Sequence, residues 1–135
     1  MIHFEKEFFQ KIKFTPKQLD RYGLSARRDL EIAQKDIFTE VRFAYCYQAL
    51  IKLGITILAK KGQVKVRSVP GHHIKILLKL SEILGDEDIF TIGNAMRMKR
   101  NQDMYSGGEF ISKKETEDYL RFVEGIFKKA SKFFS

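Results

Sequence analysis

Apolar residues in this chain recur mostly every three to four positions, the spacing that lines one face of an α-helix. Phe4, Phe8, Phe9 and Ile12 carry that spacing at the start and predict an N-terminal helix. Thr15-Pro16 is a helix-start signal, a capping hydroxyl followed by proline at the first helical position. Tyr22-Gly23-Leu24-Ser25 reads as a break, with Ser25 capping a stretch through Leu30, Ala33 and Ile37. This region is then two short helices or one kinked one. From about Asp36 to Lys61 the apolar positions (Val41, Ala44, Tyr45, Ala49, Leu50, Leu53, Ile57, Leu58) cover a wide arc, which predicts a central helix contacted on several sides. Gly62 is placed to cap it, after Lys60 and Lys61 at the negative end of the helix dipole. Val64 and Val66 alternate with polar neighbours, but one extended segment cannot make a sheet, so residues 63–69 read as a loop.

Pro70 opens the next predicted helix, which turns Ile74, Leu77, Leu78, Leu80 and Leu84 inward and stops at Gly85. Asp86 or Asp88 can cap a fourth helix carrying Ile89, Ile92, Ala95 and Met96, with Gly107-Gly108 as its stop. Ser112-Lys113-Lys114-Glu115 is a capping box, and the stripe Tyr119, Val123, Ile126, Phe127, Ala130, Phe133 follows it. The expectation is an all-α, antiparallel up-and-down bundle of four main helices plus short N-terminal helices, a single domain over residues 1–135. The Phe4/Phe8/Phe9 and Phe127/Phe133/Phe134 stripes belong to the core by their helical spacing, with contact across a dimer as the weaker alternative.

Composition narrows the setting. Hydrophobic residues make up 44% and charged ones 31%, as in a folded globular domain. The lone Cys46 cannot form an intramolecular disulfide, which points to a reducing, cytoplasmic compartment. The acidic start and the lack of a run of about 18 apolar residues argue against a signal peptide or a membrane span. A net charge of +8, from 25 Lys+Arg against 17 Asp+Glu, favours anionic partners such as nucleotides or RNA.

Most catalytic chemistry finds no pattern here. His3, His72 and His73 do not form a metal-binding spacing, and no cofactor motif, nucleotide-binding glycine loop or serine nucleophile motif is present. Cys46 lies on the apolar central helix and reads as a structural thiol. His72 and His73 fall in a helix's first turn, where unpaired N–H groups favour an anion; otherwise they are two partly exposed polar residues. The informative stretch is Arg97-Met-Lys-Arg-Asn-Gln-Asp-Met-Tyr105. Arg97, Asn101 and Tyr105 share one helix face, with Arg100 beside it. Two readings stay open on spacing alone. These are solvated cations at a helix end, or Arg97 and Arg100 grip phosphates while Asn101 and Tyr105 address a base.

Arg100-Asn101-Gln102-Asp103-Met104-Tyr105 resembles the signature of HEPN (higher eukaryotes and prokaryotes nucleotide-binding) domains: arginine, a polar residue, three variable residues, then histidine. Gly71-His72 opening a middle helix and the capped last helix fit the same pattern, over roughly residues 20 to 134. The resemblance implies a helical bundle, a homodimer, and nucleotide or RNA binding at Arg97, Arg100, Asn101, Tyr105 and His72. It also implies a small nucleotidyltransferase as partner, as in toxin–antitoxin pairs of that family. Ribonucleases of the family work without metal; the match makes Arg100 and Tyr105 the catalytic candidates here. Tyr105 stands where the histidine belongs, and a phenol with a pKa near 10 is a poor general base at neutral pH. The resemblance therefore points to binding ahead of cleavage. A metal-independent ribonuclease and a structural protein-interaction module are the alternatives.

Overall fold

In the computed structural model, which describes residues 2–106 and 110–133 (103–106 by backbone alone), five α-helices form the body of the chain. They are α1 (Pro16–Lys35), α2 (Thr39–Ile57), α3 (His72–Leu84), α4 (Glu87–Ser106) and α5 (Lys113–Ala130), with a final 3₁₀ turn at Ser131–Phe133. The all-α bundle expected from the periodicity is present. Its centre is α2, which packs against each of the other four helices. Phe43, Leu50, Leu53 and Ile57 of α2 are fully buried with Ile76, Leu77 and Leu80 of α3, Ile89 and Met96 of α4, and Val123 of α5. Each such side chain contributes about 1.5–3 kcal/mol on leaving water. Together Thr39–Gly62 is long and apolar enough to cross a membrane, but 61% of its apolar window is buried inside the fold, as in a core helix. Cys46 is buried among these residues, as its place on the central helix implied.

The caps follow their sequence signals. Thr15 and Gln18 form a reciprocal capping box at α1, and Ser112 and Glu115 form one at α5. Asp86 Oδ1 accepts from the Asp88 backbone N–H (3.0 Å) at the start of α4. Gly85, at φ 66°, closes α3. The expected stop at Gly107-Gly108 and the place of Phe134 lie outside the described residues.

Six local expectations are corrected. Residues 22–25 do not break the chain: α1 runs unbroken for 20 residues, because Gly23 and Ala26 are buried within the fold, which outweighs glycine's weak helix preference. Ser25, expected to cap, instead accepts from Lys52 Nζ (2.9 Å) in mid-helix. The central helix is not capped by Gly62. It widens into a π-helical turn, Leu58–Gly62, because Leu58 and Ala59 still have core to reach, and Gln63 (φ 52°) closes it.

The N-terminus is not helical, and residues 63–69 are not all loop. β1 (Phe9–Lys11) pairs antiparallel with β2 (Val64–Val66), Phe9 opposite Val66 and Lys11 opposite Val64. Each segment supplies the partner that the other lacks. A turn at Glu5–Phe9, with Phe8 and Phe9 N–H groups both donating to the Glu5 carbonyl, sets up β1. The Glu5 carboxylate is held by Lys75 and by Lys79 (2.9 Å) on α3. Arg67 extends the ribbon by donating its N–H to Phe8 O (2.7 Å), so the ribbon delivers residues 67–71 to the start of α3.

Finally, Pro70 does not open α3. Gly71 at φ 83° caps it and His72 begins it. That left-handed backbone strains any residue with a Cβ, so the turn needs glycine there.

Candidate functional site

The start of α3 and the later turns of α4 face each other across two adjoining clefts. One, about 400 Å³, is lined by residues 68–74 together with Arg97 and Asn101. The second, also about 400 Å³, is lined by Tyr47, Gln48, Ile51, Lys52 and Ile55 of α2 with His73, Arg100 and Asn101. His73 and Asn101 line both, so the two meet at that pair. The helix spacing that stacked Arg97 on Asn101 in the sequence is what aims both into the first cleft.

Of the residues singled out in the sequence, Arg97, Arg100, Asn101 and His72 come together here. Tyr105 sits near the end of α4, and its side chain lies outside the described residues. His72 and His73 are more than exposed polar residues at a helix start: both are half-buried, with ring centroids 4.4 Å apart. His72 Nδ1 lies 2.7 Å from the Val69 carbonyl. A carbonyl only accepts, so this nitrogen carries the proton and Nε2 is left for a ligand. Arg97 donates from Nε to Asn94 Oδ1 (2.9 Å), which fixes the guanidinium through its inner nitrogen. Its terminal nitrogens form the forked edge that matches a phosphate or carboxylate.

Tyr47 and Gln48 were not picked out by sequence reasoning, and His73 was weighed only with His72 at the helix start. Tyr47 Oη and His73 Nδ1 are hydrogen-bonded at 2.9 Å, joining α2 to α3. Burial pushes the Tyr47 phenol well above its usual range, against the pull of Arg97 and Arg100. Burial also pulls His73 down to about 4, helped by His72, Arg100 and Arg97. At neutral pH both groups are uncharged. Neither is matched to proton transfer at that pH, and the pair acts as a strut rather than an acid–base couple.

The charge balance is one-sided. Lys52 is matched by the buried Asp29 (2.8 Å), and Lys75 and Lys79 are matched by Glu5. Among the described side chains, neither Arg97 nor Arg100 has an ion-pair partner, and no carboxylate lines either cleft. Half-buried Arg97 beside the N-terminal turn of a 13-residue helix, with exposed Arg100 on the adjoining cleft, makes a field that draws anions. Among the described residues no group of three or more His, Cys, Asp or Glu side chains could hold a metal ion. Anion recognition by arginine and amide groups is the chemistry this arrangement supports.

No family model, curated protein or solved structure matches the chain.

Proposed function

We propose that this protein is a HEPN-like module that binds a nucleotide or RNA and acts as a regulatory component. In this reading it is a cytoplasmic homodimer, paired with a small nucleotidyltransferase in the manner of toxin–antitoxin systems. One observation carries the binding reading: Arg97, Arg100 and Asn101 meet His72 and His73 around clefts without a carboxylate among the described lining. The neutral Tyr47–His73 pair supports binding ahead of cleavage, since it offers no general base matched to neutral pH.

Fluorescence anisotropy with labelled single-stranded RNA tests it. The wild type binds in a salt-sensitive way. Arg97→Ala and Arg100→Ala each weaken binding, and Arg97→Ala lowers the slope of log K against log salt by roughly 0.7 for the lost phosphate contact. Salt-insensitive binding, or binding unchanged in both variants, would leave a structural protein-interaction module as the better account.

A second reading, a metal-independent ribonuclease, draws on His72 lining the same cleft as Arg97 and Asn101. Arg100 and Tyr105 remain its catalytic candidates. Incubation with tRNA and mRNA in chelator decides it: cleavage above that of Arg100→Ala supports the enzyme, and none removes it.

A further inference from the structure

The walls of the two clefts differ in chemistry, and the difference has a direction. The first carries Ser68, His72 and Arg97 on its wall; the second is walled by Tyr47, Ile51 and Ile55, with the amides Gln48 and Asn101 and the cations Lys52 and Arg100 at its edge. We infer that the pair takes one nucleotide unit in a fixed orientation, phosphate in the first cleft and base in the second. The sugar then passes the seam at His73 and Asn101. This rests on the nucleotide-binding reading above and adds to it which end goes where.

A preorganised guanidinium sets the phosphate end. Arg97 is anchored through Nε to Asn94 Oδ1, so its forked terminal edge is preorganised for a phosphate. His72 donates its Nδ1–H to Val69 O, which fixes the ring as part of the wall beside Arg97. In the second cleft the lysine is already matched. Lys52 Nζ sits 2.8 Å from Asp29 Oδ2 and 2.9 Å from Ser25 Oγ, so it does not call for a phosphate.

Shape and polarity set the base end. Tyr47, Ile51 and Ile55 give this cleft an apolar lining, the kind of surface a nucleobase packs on. Gln48 reads the edge. Its Nε2 donates to Asp29 Oδ2 (3.1 Å), and a carboxylate only accepts, so the amide cannot be flipped. Oε1 and the second N–H of Nε2 are left for a ligand, and the oxygen is an acceptor suited to a base with an exocyclic amine. Exposed Arg100 lines this cleft with a planar guanidinium able to stack on the base.

Calorimetric titration of the full chain with 5′-AMP, adenosine and inorganic phosphate separates the two ends. AMP binds roughly tenfold or more tighter than either part alone, the size of one charge-assisted contact. Gln48→Ala weakens AMP and adenosine and leaves phosphate unchanged. Arg97→Ala weakens AMP and phosphate and leaves adenosine unchanged. Gln48 is exposed and Asp29 keeps Lys52, so the first variant does not endanger the fold. AMP no tighter than phosphate, with Gln48→Ala silent, overturns the base assignment and leaves the anion site standing. The opposite pattern of variant effects overturns the orientation. No binding of AMP, phosphate or RNA overturns the nucleotide-binding reading itself.

Discussion

Adding one methyl group at Gly54 tests how the site is braced. A Cβ built there falls 2.4 Å from Ile76 Cγ2, on the seam between α2 and α3. Carbon atoms prefer about 3.5–4 Å, so the two helices must part by about 1 Å. Ile76 cannot swing its methyl aside, because a β-branched side chain in a helix has one strongly preferred rotamer. Overpacking of this kind costs about 1–3 kcal/mol. Replacing glycine with alanine inside a helix returns about 0.8–1 kcal/mol, so Gly54→Ala is neutral to about 2 kcal/mol destabilising. Gly125 on α5 is the control, since a Cβ there meets nothing within 4 Å. Gly125→Ala keeps the propensity gain and stabilises by about 0.8–1 kcal/mol. Urea unfolding followed by circular dichroism reads both. The site gives a second signal, because α2 and α3 also carry the Tyr47–His73 bond. Parting the helices admits water, so in Gly54→Ala the His73 titration moves from about 4 toward its ordinary 6.5 by NMR. Equal stabilisation by the two alanines would refute the close α2–α3 approach and the bracing argued from it.

Other outcomes follow from the same contacts. The unfolded chain protonates His73 near 6.5, whereas the folded chain resists until about 4. Stability therefore falls as pH drops through that window, by about 1–3 kcal/mol after allowing for the ring's partial exposure. Glu5 is held at about 2 by Lys75 and Lys79, so its contribution is present above 4.5 and is lost as pH falls through 2. Urea midpoints at several acid pH values should show both windows, with His73→Asn removing the upper and Glu5→Gln the lower. Burial pushes the Cys46 thiol up to about 12, so a disulfide thiol reagent at pH 8 should react only at the rate of unfolding. Ser112→Ala removes half of the α5 capping box and should cost about 0.5–2 kcal/mol in urea unfolding.

Much of this fold is legible in the sequence because helices announce themselves locally. The wide apolar arc of α2, the Thr15 and Ser112 caps and the i, i+4 pairing of Arg97 with Asn101 all depend on residues within a turn or two. What was missed depends on distance. Phe9 pairs with Val66 and Tyr47 bonds to His73, contacts that span many residues and leave no periodic trace. Phe4, Phe8 and Phe9 fit helical spacing, and the extended conformation won through pairing with β2 and the anchoring of Glu5 on α3. Tyr47 is absent from the apolar arc read off α2, although its ring is buried in the core. Only the hydroxyl's partner, 26 positions away, marks it as part of the site. Gly23 misled in the other direction, since local propensity yields when burial holds the helix together.

The central claim is that the α3 start and the α4 face of Arg97 to Asn101 form one anion-binding nucleotide site. Amide NMR spectra recorded while AMP is titrated into the intact protein test it most directly. The account predicts shifts concentrated in residues 68–74 and 97–101, extending to Tyr47, Gln48 and Ile51, and reduced in Arg97→Ala. Shifts centred instead on the acidic cleft of Glu82, Asp86 and Glu87, or a spectrum unmoved by AMP, would contradict it.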